Sequence, residues 1–133
     1  MANDPVVILS AARTPLGRFM GDLSPFAAHK LGSHVIGAAL ERAKLQPERI
    51  DEVFMGNVLP AGQGQAPARQ AARGAKLPDA TGATTINKVC GSGMKATMLA
   101  HDIINAGSAE IVLSGGMESM SNAPYLRGLP RRP

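Results

Sequence analysis

Thr84-Thr85-Ile86-Asn87-Lys88-Val89, then Cys90-Gly91-Ser92-Gly93, then the run from Met94 to Asn105, is the stretch on which the fold turns. The first six residues are rich in β-branched side chains and read as a strand. The glycine-containing tetrad reads as a tight turn. Beyond it, Met94 to Asn105 reads as a helix, stopped by Gly107 as its C-cap. Its polar residues (Lys95, His101, Asp102, Asn105) form no clean face, because Met94 and Met98 fall among them. That spacing predicts a helix buried between layers rather than one lying on a surface. A strand handed directly to such a helix is the building unit of a parallel sheet.

Working outward, the same alternation repeats. Downstream, Glu110-Ile111-Val112-Leu113-Ser114 reads as a further strand ending in Gly115-Gly116. After Met117 the pattern is aperiodic, and the last four residues look like a cut end. Upstream, Pro67 opens an alanine-rich helix with the stripe Ala68, Ala71, Ala72 and Ala75, a face so small that it must lie very close to its neighbour. A Gly/Gln/Pro loop from Pro60 to Gln65 precedes it, and Glu52 to Asn57 reads as a short strand. Ser24-Pro25 has the form of a helix start, a capping hydroxyl followed by proline at the first helical position. The stripe Ala27, Leu31, Val35, Ala39, Ala43, with Ile36 and Leu40 beside it, predicts about five turns ending shortly before Pro47. Val6-Val7-Ile8-Leu9, continuously apolar, reads as a strand buried on both faces. Strand and helix thus alternate three times and a strand closes the series: an α/β fold with right-handed crossovers and a mostly parallel sheet.

At 133 residues the chain suffices for one domain and its core, not for two ordinary ones. Apolar residues at 44% and charged ones at 18% fit a globular protein rather than a disordered segment. With no Trp and one Tyr, the core must be aliphatic. The net charge of +4 comes without aromatic side chains interleaved in a basic stripe, so a nucleic-acid surface is unsupported. No apolar run reaches membrane-spanning length, and no presequence is visible at Met1-Ala2-Asn3-Asp4-Pro5, so the expected compartment is the cytoplasm. A single cysteine excludes an internal disulfide. There is neither a metal-ligand cluster nor a dinucleotide-binding G-x-G-x-x-G after the first strand.

Cys90 is the residue that carries chemistry. Ligand crevices in open parallel sheets lie at the carboxyl ends of strands, where this cysteine sits. A thiol at a helix N-terminus meets the partial positive charge of unpaired N–H groups, which favours the thiolate. Gly91 and Gly93 leave the backbone bare, so a substrate carbonyl could approach an N–H as in half of an oxyanion hole. The bland alternative is a lone cysteine serving as a small buried hydrophobe. His29 and His34 fall off the main helical stripe and read as surface or rim residues. His101 lies about three helical turns from Cys90, roughly 16 Å, too far for a hydrogen bond.

Asn87 to Ala96 (Asn-Lys-Val-Cys-Gly-Ser-Gly-Met-Lys-Ala) resembles the nucleophile segment of thiolases, the acetyl-CoA acetyltransferase family. Ser114 to Tyr125 (Ser-Gly-Gly-Met-Glu-Ser-Met-Ser-Asn-Ala-Pro-Tyr) resembles the second N-terminal signature of that family. Ala11 to Pro15 and Gly56 to Leu59 match as well, in the same order. The Gly-Gly-Met-Glu-Ser-Met segment points to thiolases rather than to ketoacyl synthases, which share the fold and also use a cysteine.

The resemblance implies the N-terminal half of a layered αβαβα fold, with residues 1–116 as the nucleophile domain and 117–133 as the start of a loop region. It implies that Cys90 takes an acyl group from acyl-CoA as a thioester, its own backbone N–H helping to hold the thioester oxygen. Coenzyme A thioesters are then substrates, and no cofactor or metal is called for. The family's acid–base groups, a His in Gly-His-Pro and a second Cys in Cys-Gly-Gly, are absent from this sequence. The chain is therefore expected to need a C-terminal half and to be inactive alone. By analogy with family dimers, the strand 84–89 is the expected contact in a homo-oligomer. Two other readings stay open: another condensing enzyme of this fold, such as a ketoacyl synthase or hydroxymethylglutaryl-CoA synthase, and a non-catalytic assembly module.

Overall fold

Three short parallel strands carry the core of this computed structural model, which describes residues 5–128. In chain order the elements are α1 (Ala28–Ala43), β1 (Glu52–Gly56), α2 (Pro67–Gly74), β2 (Gly82–Ile86), α3 (Ser92–Asn105) and β3 (Val112–Gly116). Short 3-10 turns lie at Pro47–Arg49 and Met120–Asn122. The sheet order is β2-β1-β3, with Gly56 opposite both Ile86 and Gly116, so all three strands finish level at one edge.

The connections explain the layering. The chain steps from β1 through α2 to one edge, then returns through α3 past β1 to the other. Right-handed crossovers in opposite directions put the two helices on opposite faces. Val53 and Met55 point to the α1–α2 side and are fully buried there among Ile36, Leu40, Ala68 and Ala71. On the opposite face α3 presents Ser92, Ala96 and Ala100 to the sheet. The α1–α2 contact is as close as the alanine stripe requires: a Cβ on Gly32 would lie 3.1 Å from the Ala71 methyl. Asp51 ties the start of β3 to β1 by accepting from Glu110 N (2.8 Å) and Ile111 N (3.0 Å). The N–H of Ile111, then that of Glu110, holds its carboxyl below the ordinary value near 3.8.

Several expectations need correction. Val6 to Leu9 is not a strand; Val7, Ile8 and Leu9 are 63%, 84% and 59% exposed. An extended run becomes a strand only when a neighbour takes its N–H and C=O groups, and none of the three strands does so. Its end is instead tied to α1, by Ser10 Oγ donating to Ala39 O (2.7 Å) and Arg42 donating to Ala11 O. The sheet therefore has three strands among the described residues, not four.

α1 begins at Ala28 rather than after Ser24, with Ala27 at its N-cap and no side-chain cap. Ser24 is held in a turn by its own N–H to Gly21 O, while Ser24 O and Phe26 O accept from the distant Asn122 amide. Those tertiary bonds withdraw the carbonyls that an earlier helical turn would use. The buried stripe is Ala28, Gly32, Ile36 and Leu40, four apart as expected but one residue on from Ala27. β2 ends at Ile86, not Val89, and β3 starts at Val112 and includes the two glycines. α3 is buried along one face only: Met94 is 74% and Met98 51% exposed. No second layer covers its outer side among the described residues. Residues 130–133, the expected cut end, lie outside the described residues.

Candidate active site

β2 stops because its chain reverses around Val89. That residue has φ +47°, the left-handed region in which a β-branched side chain is a genuine outlier. The turn is over-determined by polar contacts. Asn87 Oδ1 accepts from Val89 N (3.0 Å), Gly91 N donates to Lys88 O (3.0 Å) and Ser92 N donates to Val89 O (3.1 Å). The Ser92 hydroxyl accepts from Lys88 N (2.8 Å) and donates to Val89 O (2.6 Å). Cys90 rides at the tip of this turn and is exposed. Gly91 is the N-cap of α3, its O accepting from Lys95 N (2.9 Å), and Ser92 is the first helical residue. The cysteine thus stands beside the helix N-terminus at the level edge of the sheet and is exposed among the described residues rather than packed as a buried apolar thiol.

The head of α3 is seated on glycine. A Cβ built on Gly56 would come within 2.7 Å of Gly93 N, Ser92 C and Ser92 Cβ. The Gly116 backbone meets Gly93 on the other side: a Cβ on Gly116 would lie 3.4 Å from Gly93 Cα. Bare backbone at the ends of β1 and β3 therefore lets the helix, and with it Cys90, sit directly on the sheet.

A carboxylate joins the loops that leave those same strands. Glu118 accepts from Asn57 Nδ2 (2.7 Å), Val58 N (2.8 Å) and Leu59 N (3.0 Å). Asn57, 1% exposed, also donates to Met117 O (3.2 Å), and its Oδ1 accepts from Gln63 Nε2 (3.2 Å). All three partners of Glu118 are N–H donors, so both carboxylate oxygens are used as acceptors. Glu118, Asn57 and Ser92 were not singled out as functional by sequence reasoning, although each stands within or next to a quoted motif. The signal for Asn57 and Glu118 was their place just beyond the end of a strand, and for Ser92 its place at the head of a helix.

These pieces line a cleft of about 750 Å³. Cys90, Val58, Leu59, Met117 and Glu118 contribute to it, and Arg13 and Arg18 bring positive charge. None of the three histidines does. His34 is exposed, while His29 is partly buried, its imidazole pushed below its ordinary value by desolvation and then by Lys30. His101 is exposed and lies against Asp102 and Asn105, as a solvated residue should. Among the described residues no cluster of His, Cys, Asp and Glu could hold a metal.

The profile of the family "Thiolase, N-terminal domain" matches residues 6–132. The chain belongs to the thiolase family. Its relatives agree with that placement. An acetyl-CoA acetyltransferase of Schizosaccharomyces pombe is 58% identical over 125 residues, covering 94% of this chain and 32% of the relative. A human mitochondrial acetyl-CoA acetyltransferase is 55% identical over 121 residues, covering 91% and 28%. The crystal structure of an Ascaris suum thiolase in complex with coenzyme A superposes with a TM-score of 0.91 at 42% identity, covering 95% of this chain and 33% of that one. The thiolase domain described here thus spans about a third of the length of the relatives it matches.

Proposed function

We propose that this thiolase domain supplies the nucleophile of an acyl-CoA C-acyltransferase, and that Cys90 is that nucleophile. The observation that carries the reading is an exposed thiol at the tip of a strained turn, beside a helix N-terminus, facing a cleft at the carboxyl edge of a parallel sheet. A Cys90 thiolate attacks the carbonyl carbon of an acyl-CoA. The new C–S bond forms as the bond to coenzyme A sulfur breaks, and coenzyme A leaves as its thiolate. The N–H of Cys90 is the proposed donor to the thioester oxygen. A second acyl-CoA, deprotonated at its α-carbon, then displaces Cys90 to give 3-ketoacyl-CoA. Proton transfers in both steps need a base and an acid, and their proposed source is a C-terminal half carrying the family's Gly-His-Pro and Cys-Gly-Gly motifs. The names of the relatives support acetyl-CoA as the substrate, and the Ascaris structure, which holds coenzyme A, supports a coenzyme A thioester. No cofactor is required by this chemistry.

The test is mass spectrometry of the full-length protein after mixing with acetyl-CoA. An acetyl adduct on the peptide containing Cys90, absent in Cys90→Ser, is the expected result; acetyl on another residue, or none, would overturn the reading.

Residues 1–116 are proposed as the nucleophile domain and 117–133 as the start of a loop region, in keeping with the single 3-10 turn that follows β3 among the described residues. The outer edge of β2 has no strand beside it among the described residues, and Thr84 is exposed. An unpaired edge is a template for a second strand, so residues 84–89 are the proposed contact in a homo-oligomer. Light scattering on the full-length protein should return at least a dimer, and a monomer at tens of micromolar would refute this. No helix among the described residues is long and apolar enough to cross a membrane. The cytoplasm is the proposed compartment, to be checked by cell fractionation, since several of the matched relatives are named as mitochondrial.

A further inference from the structure

We infer that Ser92 is a positioning residue, which holds Cys90 in its reactive attitude by locking Val89 in the left-handed conformation. The inference rests on the reading of Cys90 as the acylated nucleophile.

The argument starts from the cost of the turn. A valine at φ +47° is disfavoured, because its branched Cβ crowds its own backbone, and it persists only where the surroundings over-determine it. Val89 is 65% exposed, so packing against the described residues of its own chain does not hold it there. Hydrogen bonds must, and most of them converge on one residue. Ser92 accepts from Lys88 N through its hydroxyl, donates that hydroxyl to Val89 O, and donates its own N–H to the same carbonyl. Asn87 adds a bond to Val89 N from the other side. Ser92 thus clasps the peptide that follows Val89 and the one that precedes Lys88, while Gly91 N–H and Asn87 Oδ1 hold the peptide between Lys88 and Val89, and the next residue is Cys90.

The clasp is itself immobile. Ser92 is 4% exposed and is the first residue of α3, and the backbone of Gly56 lies against its Cβ. The ends of β1 and β3 hold the head of the helix, the helix holds Ser92, and Ser92 holds the turn. Without the hydroxyl, Lys88 N–H loses its partner and Val89 O keeps only one of its two donors. The valine can then relax toward negative φ, which swings the following peptide and the thiol away from the cleft. A displacement of about 1 Å at a reacting centre is enough to cost about a hundredfold in rate.

The experiment uses the full-length enzyme and measures the single-turnover rate of Cys90 acetylation by acetyl-CoA in four forms: wild type, Ser92→Ala, Val89→Gly and the double variant. Ser92→Ala is expected to acetylate about a hundredfold more slowly, with KM for acetyl-CoA within about threefold and Tm within about 5 °C of wild type. A merely structural serine would lower Tm and leave the surviving folded fraction reacting at the normal rate. Glycine enters the left-handed region without a Cβ penalty, so adding Val89→Gly to Ser92→Ala is expected to restore about tenfold of the lost rate. Equal acetylation rates for wild type and Ser92→Ala would overturn the proposal. So would a rate loss matched by loss of folded protein, or a double variant no faster than Ser92→Ala. A wild type that never acetylates Cys90 would overturn the underlying reading as well, which separates the two failures.

Discussion

Cys90→Ser in the full-length enzyme is expected to lower thiolysis of acetoacetyl-CoA by about 10⁴-fold or more while leaving the fold intact. A serine hydroxyl is a far weaker nucleophile at neutral pH than a thiol, which already has a small thiolate fraction there. The substitution changes one exposed atom, so stability should move by no more than about 0.5 kcal/mol. Steady-state kinetics with a parallel thermal melt checks both halves. Turnover within tenfold of wild type would remove Cys90 from the mechanism, whatever the melt shows.

Gly56→Ala is expected to damage stability and acylation together. The new methyl would overlap Gly93 N and Ser92 C at 2.7 Å, and both are backbone atoms that no rotamer change can move aside. The head of α3 must shift, at a cost of about 1–3 kcal/mol for overpacking. Because the same helix head carries Ser92 and the Cys90 turn, acetylation of Cys90 should fall by about a hundredfold as well. Gly37→Ala is the control. It lies within α1, where an added Cβ meets nothing within 4 Å, and should stabilise by about 0.5–1 kcal/mol through the better helix propensity of alanine. Urea denaturation and single-turnover acetylation of the two variants side by side would test the contrast. Equal behaviour of Gly56→Ala and Gly37→Ala would show that the glycine seat does not position the site.

These two variants separate what local chemistry supplies from what the assembled fold supplies. The thiol is a property of one side chain. Its placement depends on Gly56 and Gly116, which are 34 and 26 positions away in the chain and become its neighbours only through the sheet register. Glu118 belongs to the second group. Its three donors come from a loop some 60 residues earlier, and the bonds exist only because β1 and β3 lie side by side.

The sequence by itself determined whatever depends on short-range geometry: α2 opening at Pro67, its alanine face, α3 ending shortly before the left-handed Gly107, and a cysteine between a strand and a helix. Each follows from a backbone preference or a periodicity that neighbouring residues impose without help. Only the tertiary structure decided that Val6 to Leu9 finds no strand partner among the described residues, because pairing is a property of two segments and hydrophobicity of one. It also decided where α1 begins, since Asn122 takes the carbonyls that Ser24 and Phe26 would have given to a helix. The left-handed Val89 is the sharpest case. Local preference forbids it, and hydrogen bonds from a residue anchored against β1 impose it.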